Sequence, residues 1–310
     1  MKKTIYAGTY TGKGSEGIYR FSCDNGKLND VSLFTRIENS KYICSYKDRI
    51  AAICDFKEGS GAALIDRDGK IRDELIFEEV TSCYVTEHEG RLYTANYHAG
   101  TFSVLDVEED RLKLVKTVPI REKAGCHQVL FWKDLILVPC LFLDRVMIYD
   151  SGLNRRGEIV LPDESGPRHG VFSKDGEYLY LVTELSNELF VIRTGSFAIE
   201  DCVPLLAGGE RNTEGTAAVR MSEDGRFLYV STRGKDVISV LSVNGGKAEL
   251  NQNVSCGGKH PRDFILCGNA LLCANRFSNE IVSFRIEEDG RVGEEIDRIG
   301  IPEAVSLIEK

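Results

Sequence analysis

Several features are missing from this 310-residue chain, and each absence removes a class of function. No apolar run approaches the roughly 20 residues that a helix needs to cross a bilayer, so no membrane partner is expected. The opening MKKTIYAGTYTGKGSEG carries two lysines but breaks into Gly, Thr and Tyr with no apolar stretch, which argues against a secretory signal there. Basic excess is absent too: Asp plus Glu number 48 against 39 Lys plus Arg, a net charge of −9. No long-range field therefore draws in nucleic acid or an anionic membrane, and an anionic ligand has to be held by a local group of cations. None of the ten cysteines forms a Cys-x-x-Cys pair, and most sit in apolar runs such as YICSY, AAICDF and LLCAN. They read as small buried hydrophobes in a reducing cytoplasm, with a disulfide framework or a zinc site as the rival readings. There is no His-Glu-x-x-His and no clustered Asp loop of the calcium type, so neither a metal nor another cofactor is expected.

Also lacking is any sustained 3.6-residue helical period. What fills the chain instead is short alternating runs of Val, Ile, Leu, Tyr and Phe separated by Gly, Asp and Asn turns, the pattern of an all-β protein. Two segments, FSKDGEYLYLVTE from Phe172 and MSEDGRFLYVSTR from Met221, show the unit clearly: a strand, an Asp-Gly turn expected to be tight, and a returning strand. Aligning the hairpin starts gives Lys41, Cys83, His127, Arg168, Ala217, Arg262 and Glu303, at steps of 42, 44, 41, 49, 45 and 41 residues. That period suits the four-stranded blades of a β-propeller, and seven units fill residues 1–310 as a single domain. TIYAGTY lacks a first strand before it and IPEAVSLIEK lacks a second strand after it, so pairing the N- and C-terminal strands in one blade closes the ring and removes the exposed edges.

The start of the first strand and the end of the second lie on one face of a propeller, opposite the Asp-Gly turns. The second ring of positions is Tyr10, Asp55, Tyr97, Cys140, Glu184, Arg233 and Arg276. A central funnel is thus expected to gather Lys41, His127, Arg168, His169, Glu184, Arg233, Arg262 and Arg276. Cations concentrated in a protein of net negative charge need carboxylates, for which Glu184, Asp55, Asp263 and Glu303 are candidates, or an anionic ligand. Simpler readings stand beside this one. Arg168 and Glu184 form a structural ion pair in one, and His127 only satisfies a backbone carbonyl in another. His260, beside Gly257, Gly258 and Pro261, reads as a loop residue, and His88 and His98 sit near turns.

At these positions the sequence resembles the seven-bladed propeller lactonases, a family that includes bacterial 6-phosphogluconolactonases and carboxy-cis,cis-muconate cyclases. The matching stretches are GTYT at Gly8, ANY at Ala95, HQVLF at His127, GPRH at Gly166, SEDGRFLYVSTRG at Ser222, and KHPRDF with CANRFSNEIVSF from Lys259. The resemblance implies a funnel site whose catalytic His, Arg, Glu and Arg fall on His127, Arg168, Glu184 and Arg233. Departures fall at Cys83-Tyr84, Ala217-Ala218-Val219, Cys140 and Arg276, where the family commonly carries Cys-His, Ala-Glu-Ile, Asp and Gln.

On this basis the chain is expected to be a hydrolase of a small anionic sugar lactone, close to 6-phosphogluconolactonase. A neutral His127 with a pKa near the working pH takes a proton from water, Glu184 orients that water, and Arg168 or Arg233 stabilises the oxyanion. Lys41, His169, Arg262, Asn275 and Arg276 are the substrate-binding set, with the guanidinium groups suited to a phosphate or carboxylate. A muconate-type cycloisomerase and a non-catalytic interaction scaffold are the alternatives.

Overall fold

A computed structural model of the chain describes residues 2–209 and 215–310. Its strands form seven antiparallel sheets of four strands each, arranged in a ring as the blades of a propeller. Blades 1 to 6 follow the chain over residues 38–78, 84–119, 130–160, 167–204, 216–255 and 261–300. Blade 7 is composite. Its inner strand is Ala304–Glu309 and its other three are Lys3–Thr9, Gly17–Asp24 and Lys27–Arg36. The closing contact is antiparallel, with Ala7 opposite Leu307 and Gly8 opposite Ser306. Gly8 is needed for that approach, because a Cβ there would lie 2.4 Å from the Ser306 hydroxyl and 2.5 Å from the Ser40 carbonyl.

Burial explains the sequence pattern. A middle strand such as Tyr178–Thr183 (YLYLVT) is sandwiched between neighbouring blades and buried along its whole length, so it reads as a continuous apolar run. Outer strands such as Arg111–Pro119 are mostly exposed and stay polar. The cores accordingly lie between blades: Ile5, Phe21, Leu272, Ile281 and Leu307 join blades 6 and 7, while Tyr180, Val182, Val219 and Leu228 join blades 4 and 5. No helix among the described residues is long and apolar enough to cross a membrane.

The Asp-Gly segments differ from the tight two-residue form that the dipeptide favours. Each is a five-residue connection between strands, 173–177 and 222–226, with the glycine at positive φ (71° at Gly176, 75° at Gly225). A serine and an aspartate hold it: Tyr178 N–H donates to Ser173 Oγ and Glu177 N–H to Asp175 Oδ1, both at 2.9 Å. Ser222 and Asp224 repeat the arrangement in blade 5. The side-chain acceptors compete successfully with a two-residue turn.

Candidate active site

The inner strands do not run regularly into the channel. In blade 4 the ladder pairs Pro167 with Thr183 and His169 with Val182, leaving Arg168 as an extra residue; in blade 6 it pairs Pro261 with Asn275 and Asp263 with Ala274, leaving Arg262. Both arginines therefore sit on β-bulges, which re-aim a side chain that strict alternation would place elsewhere. The bulge also lets the consecutive residues Arg168 and His169 both line the channel.

Glu184 is the pivot. Its Oε2 accepts from Arg168 Nε at 2.7 Å and lies 2.9 Å from Arg233 Nη2, while its Oε1 accepts no hydrogen bond among the described residues. Arg168 also donates to the Ala217 carbonyl, and Arg233 donates to the carbonyls of Gly215 at 3.1 Å and Thr216 at 3.3 Å. Burial pulls the pKa of both arginines down, but each stays a cation at neutral pH. Burial alone would raise the Glu184 pKa; Arg233, Arg168 and Arg262 together outweigh it and hold the carboxyl below its usual range. Gly215, at φ +58°, backs the glutamate so closely that a Cβ would stand 1.8 Å from the Glu184 carbonyl oxygen.

Glu184, His127 and Arg262 line a cavity of about 210 Å³ with Tyr10, Lys41, Thr81, Cys83, Tyr97 and His98. A smaller enclosed space of about 10 Å³ lies beneath it, bounded by Tyr42, Arg168, His169 and Val305 as well. A larger groove of about 630 Å³ opens on the opposite face, among the turns around Asp224 and Gly290. It contains none of the expected site residues, so chemistry rather than size selects the funnel.

His127 is 4% exposed and His169 3% exposed, and His127 Nδ1 lies 3.1 Å from His169 Nε2. The expectation of a His127 pKa near the working pH is corrected: burial, then Arg168, His169 and Arg262, push it well below 6.5. The imidazole is neutral, but with little basicity in reserve.

The substrate-binding set divides. Arg262 lines both cavities and makes no hydrogen bond or ion pair to any described residue. Burial opposes its charge, but Tyr10 and then Glu184 favour it, and together they hold its pKa above the usual value. Lys41 reaches the cavity and donates to the Thr81 carbonyl at 3.3 Å. Arg276 is already engaged, donating to Glu303 Oε1 through Nε at 3.2 Å and Nη2 at 3.1 Å and stacking over the Tyr10 ring. Asn275 does not line the cavity; it is wholly buried and donates to the Cys256 carbonyl at 2.9 Å. His169 is sealed behind His127 rather than presented to the cavity mouth.

Of the other carboxylates, Asp263 pairs with Arg220 at 2.7 Å, and Asp55 serves Asn39, Ser60 and Thr81 instead of an arginine. Cys140 stands 3.8 Å from Cys126, sulfur to sulfur, away from the funnel, and all ten cysteines are free thiols. Sequence reasoning missed two residues. His98 lines the cavity mouth, and His260 is buried and stacked on Phe277, its pKa lowered to about 3 by burial and then by Arg233, Arg262, Arg276 and Arg168. Neither had a signal, since His98 lies just after a strand and His260 just before one, in connections whose direction the linear pattern does not define.

Seven four-stranded blades thus surround a funnel in which, among the described residues, Arg168, Arg233 and Arg262 gather around Glu184. The chain belongs to the family described as "Lactonase, 7-bladed beta-propeller", which it matches over residues 4–308. It is 30% identical to the 6-phosphogluconolactonase of Bacillus subtilis, with 94% of each chain covered. It is 33% identical to an uncharacterized protein of Lactococcus lactis subsp. cremoris over 85% of this chain and 86% of that one. Among solved structures it superposes on a Lactobacillus plantarum protein with a TM-score of 0.92 at 28% identity, each chain fully covered. The Pseudomonas aeruginosa periplasmic gluconolactonase gives a TM-score of 0.87 at 22% identity, covering 100% of this chain and 99% of that one, a likeness of fold.

Proposed function

We propose that this protein hydrolyses a small anionic sugar lactone of the 6-phosphogluconolactone kind, in a cytoplasmic setting that keeps its cysteines reduced. The observation that carries the reading is Arg262, a part-buried guanidinium with no acceptor among the described residues, facing the cavity that holds His127 and Glu184. A cation taken from water without a partner is costly, and a phosphate or carboxylate supplies the missing acceptors. The cavity, about 210 Å³, lies below the roughly 300–1,000 Å³ of sites for drug-sized ligands, which favours a substrate of sugar size. The named relative from Bacillus subtilis supports the same choice.

In this reading Arg262, aided by Lys41, anchors the anion and places the lactone carbonyl beside His127. Water adds to the carbonyl carbon, losing a proton toward Glu184 Oε1, the carboxylate oxygen left free while Oε2 is clamped. The ring C–O bond then breaks and the leaving alkoxide collects a proton, giving the open-chain acid. The cationic funnel stabilises the charge that builds on the carbonyl oxygen. The test is acid release from freshly prepared 6-phosphoglucono-δ-lactone and from glucono-δ-lactone at controlled pH. A kcat/KM at least tenfold higher for the phosphorylated lactone is expected; equal values would remove the anion requirement, and no rate above background for either would remove the activity.

A further inference from the structure

We propose that His169 is a positioning residue that fixes the tautomer of His127, so that His127 presents an N–H, not a lone pair, to the funnel. The inference rests on the reading of the funnel as the reacting site and assigns one of its groups. Across the 3.1 Å contact between His127 Nδ1 and His169 Nε2 only one proton is shared. Both rings are neutral, each pKa being pushed well below 6.5 by burial first and then by Arg168 and other nearby charges. Two arrangements follow.

If His127 Nδ1 is the donor, His169 must carry its own proton on Nδ1. That atom is sealed from solvent and has no hydrogen-bond partner among the described residues, so an N–H would be orphaned in the interior. If His169 Nε2 is the donor, its Nδ1 is a bare lone pair in the same sealed position. Orphaned buried N–H groups are rarer than under-satisfied acceptors. The surrounding charges agree, since Arg168, Arg220 and Arg262 all act on His169 and a positive field favours a lone pair over an N–H. A water in the small cavity beneath the funnel does not rescue the first arrangement, because Nδ1 exposes less than 1 Å² of surface to any probe of that size. The His127 carbonyl raises the pKa of both rings.

The second arrangement leaves the His127 proton on Nε2, an atom that makes no hydrogen bond and is not among the sealed ones. His127 then acts as a neutral donor to the lactone carbonyl as it becomes an oxyanion, or to the departing ring oxygen. Taking the proton from water falls to Glu184. The edge of His169 is held by Tyr84 and Tyr42, with ring centroids 5.7 and 6.5 Å away, which keeps Nε2 aimed at its neighbour.

The tautomer is read directly by long-range 1H–15N correlation of the histidine rings in uniformly labelled protein at neutral pH. A protonated Nε2 and bare Nδ1 on both His127 and His169 are expected; a protonated Nδ1 on His127 overturns the proposal. This readout needs no substrate, so an Nε2-protonated His127 in a protein without lactonase activity would defeat the proposed function while leaving the tautomer assignment standing. Two variants add a kinetic arm. His169→Gln keeps a donor near the Nε2 position and should retain most of the turnover. His169→Leu removes it and should lower kcat on the order of 10–100-fold with KM within about twofold. Equal activity in a folded His169→Leu protein overturns the positioning role, and if that variant does not fold, loss of turnover in a folded His169→Gln protein does so instead.

Discussion

Replacing Arg262 with methionine should cost far more activity on a phosphorylated lactone than on an unphosphorylated one, a discrimination that a structural arginine would not produce. The guanidinium is part-buried and has no hydrogen-bond or ion-pair partner among the described residues. It lowers the pKa of both Arg168 and Arg233 while sharing Glu184 with them. Methionine fills similar volume without charge, so the substitution removes the cation and leaves the shape of the cavity nearly unchanged. On the substrate side, hydrogen bonds to a charged group contribute about 1.5–3 kcal/mol, so loss of a two-pronged contact with phosphate should cost at least about 3 kcal/mol, more than a hundredfold in kcat/KM. The loss should fall mainly on KM and should be small for an unphosphorylated lactone. Paired kinetics on the two lactones make the assay, with circular dichroism to confirm that the variant is folded. Equal losses on both substrates would refute the assignment of Arg262 to the anion.

Glu184→Gln should be destabilising, because it removes the carboxylate that pairs with the buried Arg168 and Arg233; about 3–5 kcal/mol is expected from urea unfolding, together with loss of turnover. Gly215→Ala should reduce kcat without needing any contact with substrate, since the added methyl displaces Glu184, and a wild-type rate would show that the glutamate tolerates the shift. Stability should fall on acidification below about pH 6.5. His127 and His169 are neutral in the fold with depressed pKa values, whereas the unfolded chain binds their protons, so each contributes a slope of up to about 1.4 kcal/mol per pH unit until its folded pKa is reached. Glu184 acts in the same sense lower down, and a stability profile flat from pH 7 to 5 would contradict the neutral pair. The kcat/KM profile should likewise show no limb from His127 near pH 6.5.

Most of the architecture was legible because the physics that sets it is periodic. Strands buried between blades must be apolar, turns must carry Gly or Asp, and the unit recurs every 41 to 49 residues, so the blades and their closure by TIYAGTY and IPEAVSLIEK follow from spacing. Counting hairpin ends also brought Arg168, Glu184, Arg233, Arg262 and His127 to one funnel. What spacing does not encode is the β-bulge that turns Arg168 and Arg262 inward, because an extra unpaired residue leaves the hydrophobic alternation nearly intact. Nor does it encode which cation is already neutralised. Arg276 and Arg262 look alike in sequence, yet Glu303 occupies the first and no described residue occupies the second. Asn275 closes a strand end against Cys256, and His260 turns inward at positive φ, two outcomes decided by loop geometry alone.

The central claim is catalysis in the funnel, and it is tested most directly by acid release from fresh 6-phosphoglucono-δ-lactone by the wild-type protein beside His127→Ala. The account requires a wild-type rate well above the spontaneous reaction and a fall of roughly 10²–10³-fold in kcat when the histidine donor is removed. A folded His127→Ala protein that turns the lactone over as fast as wild type would contradict it, and would place the chemistry outside the channel.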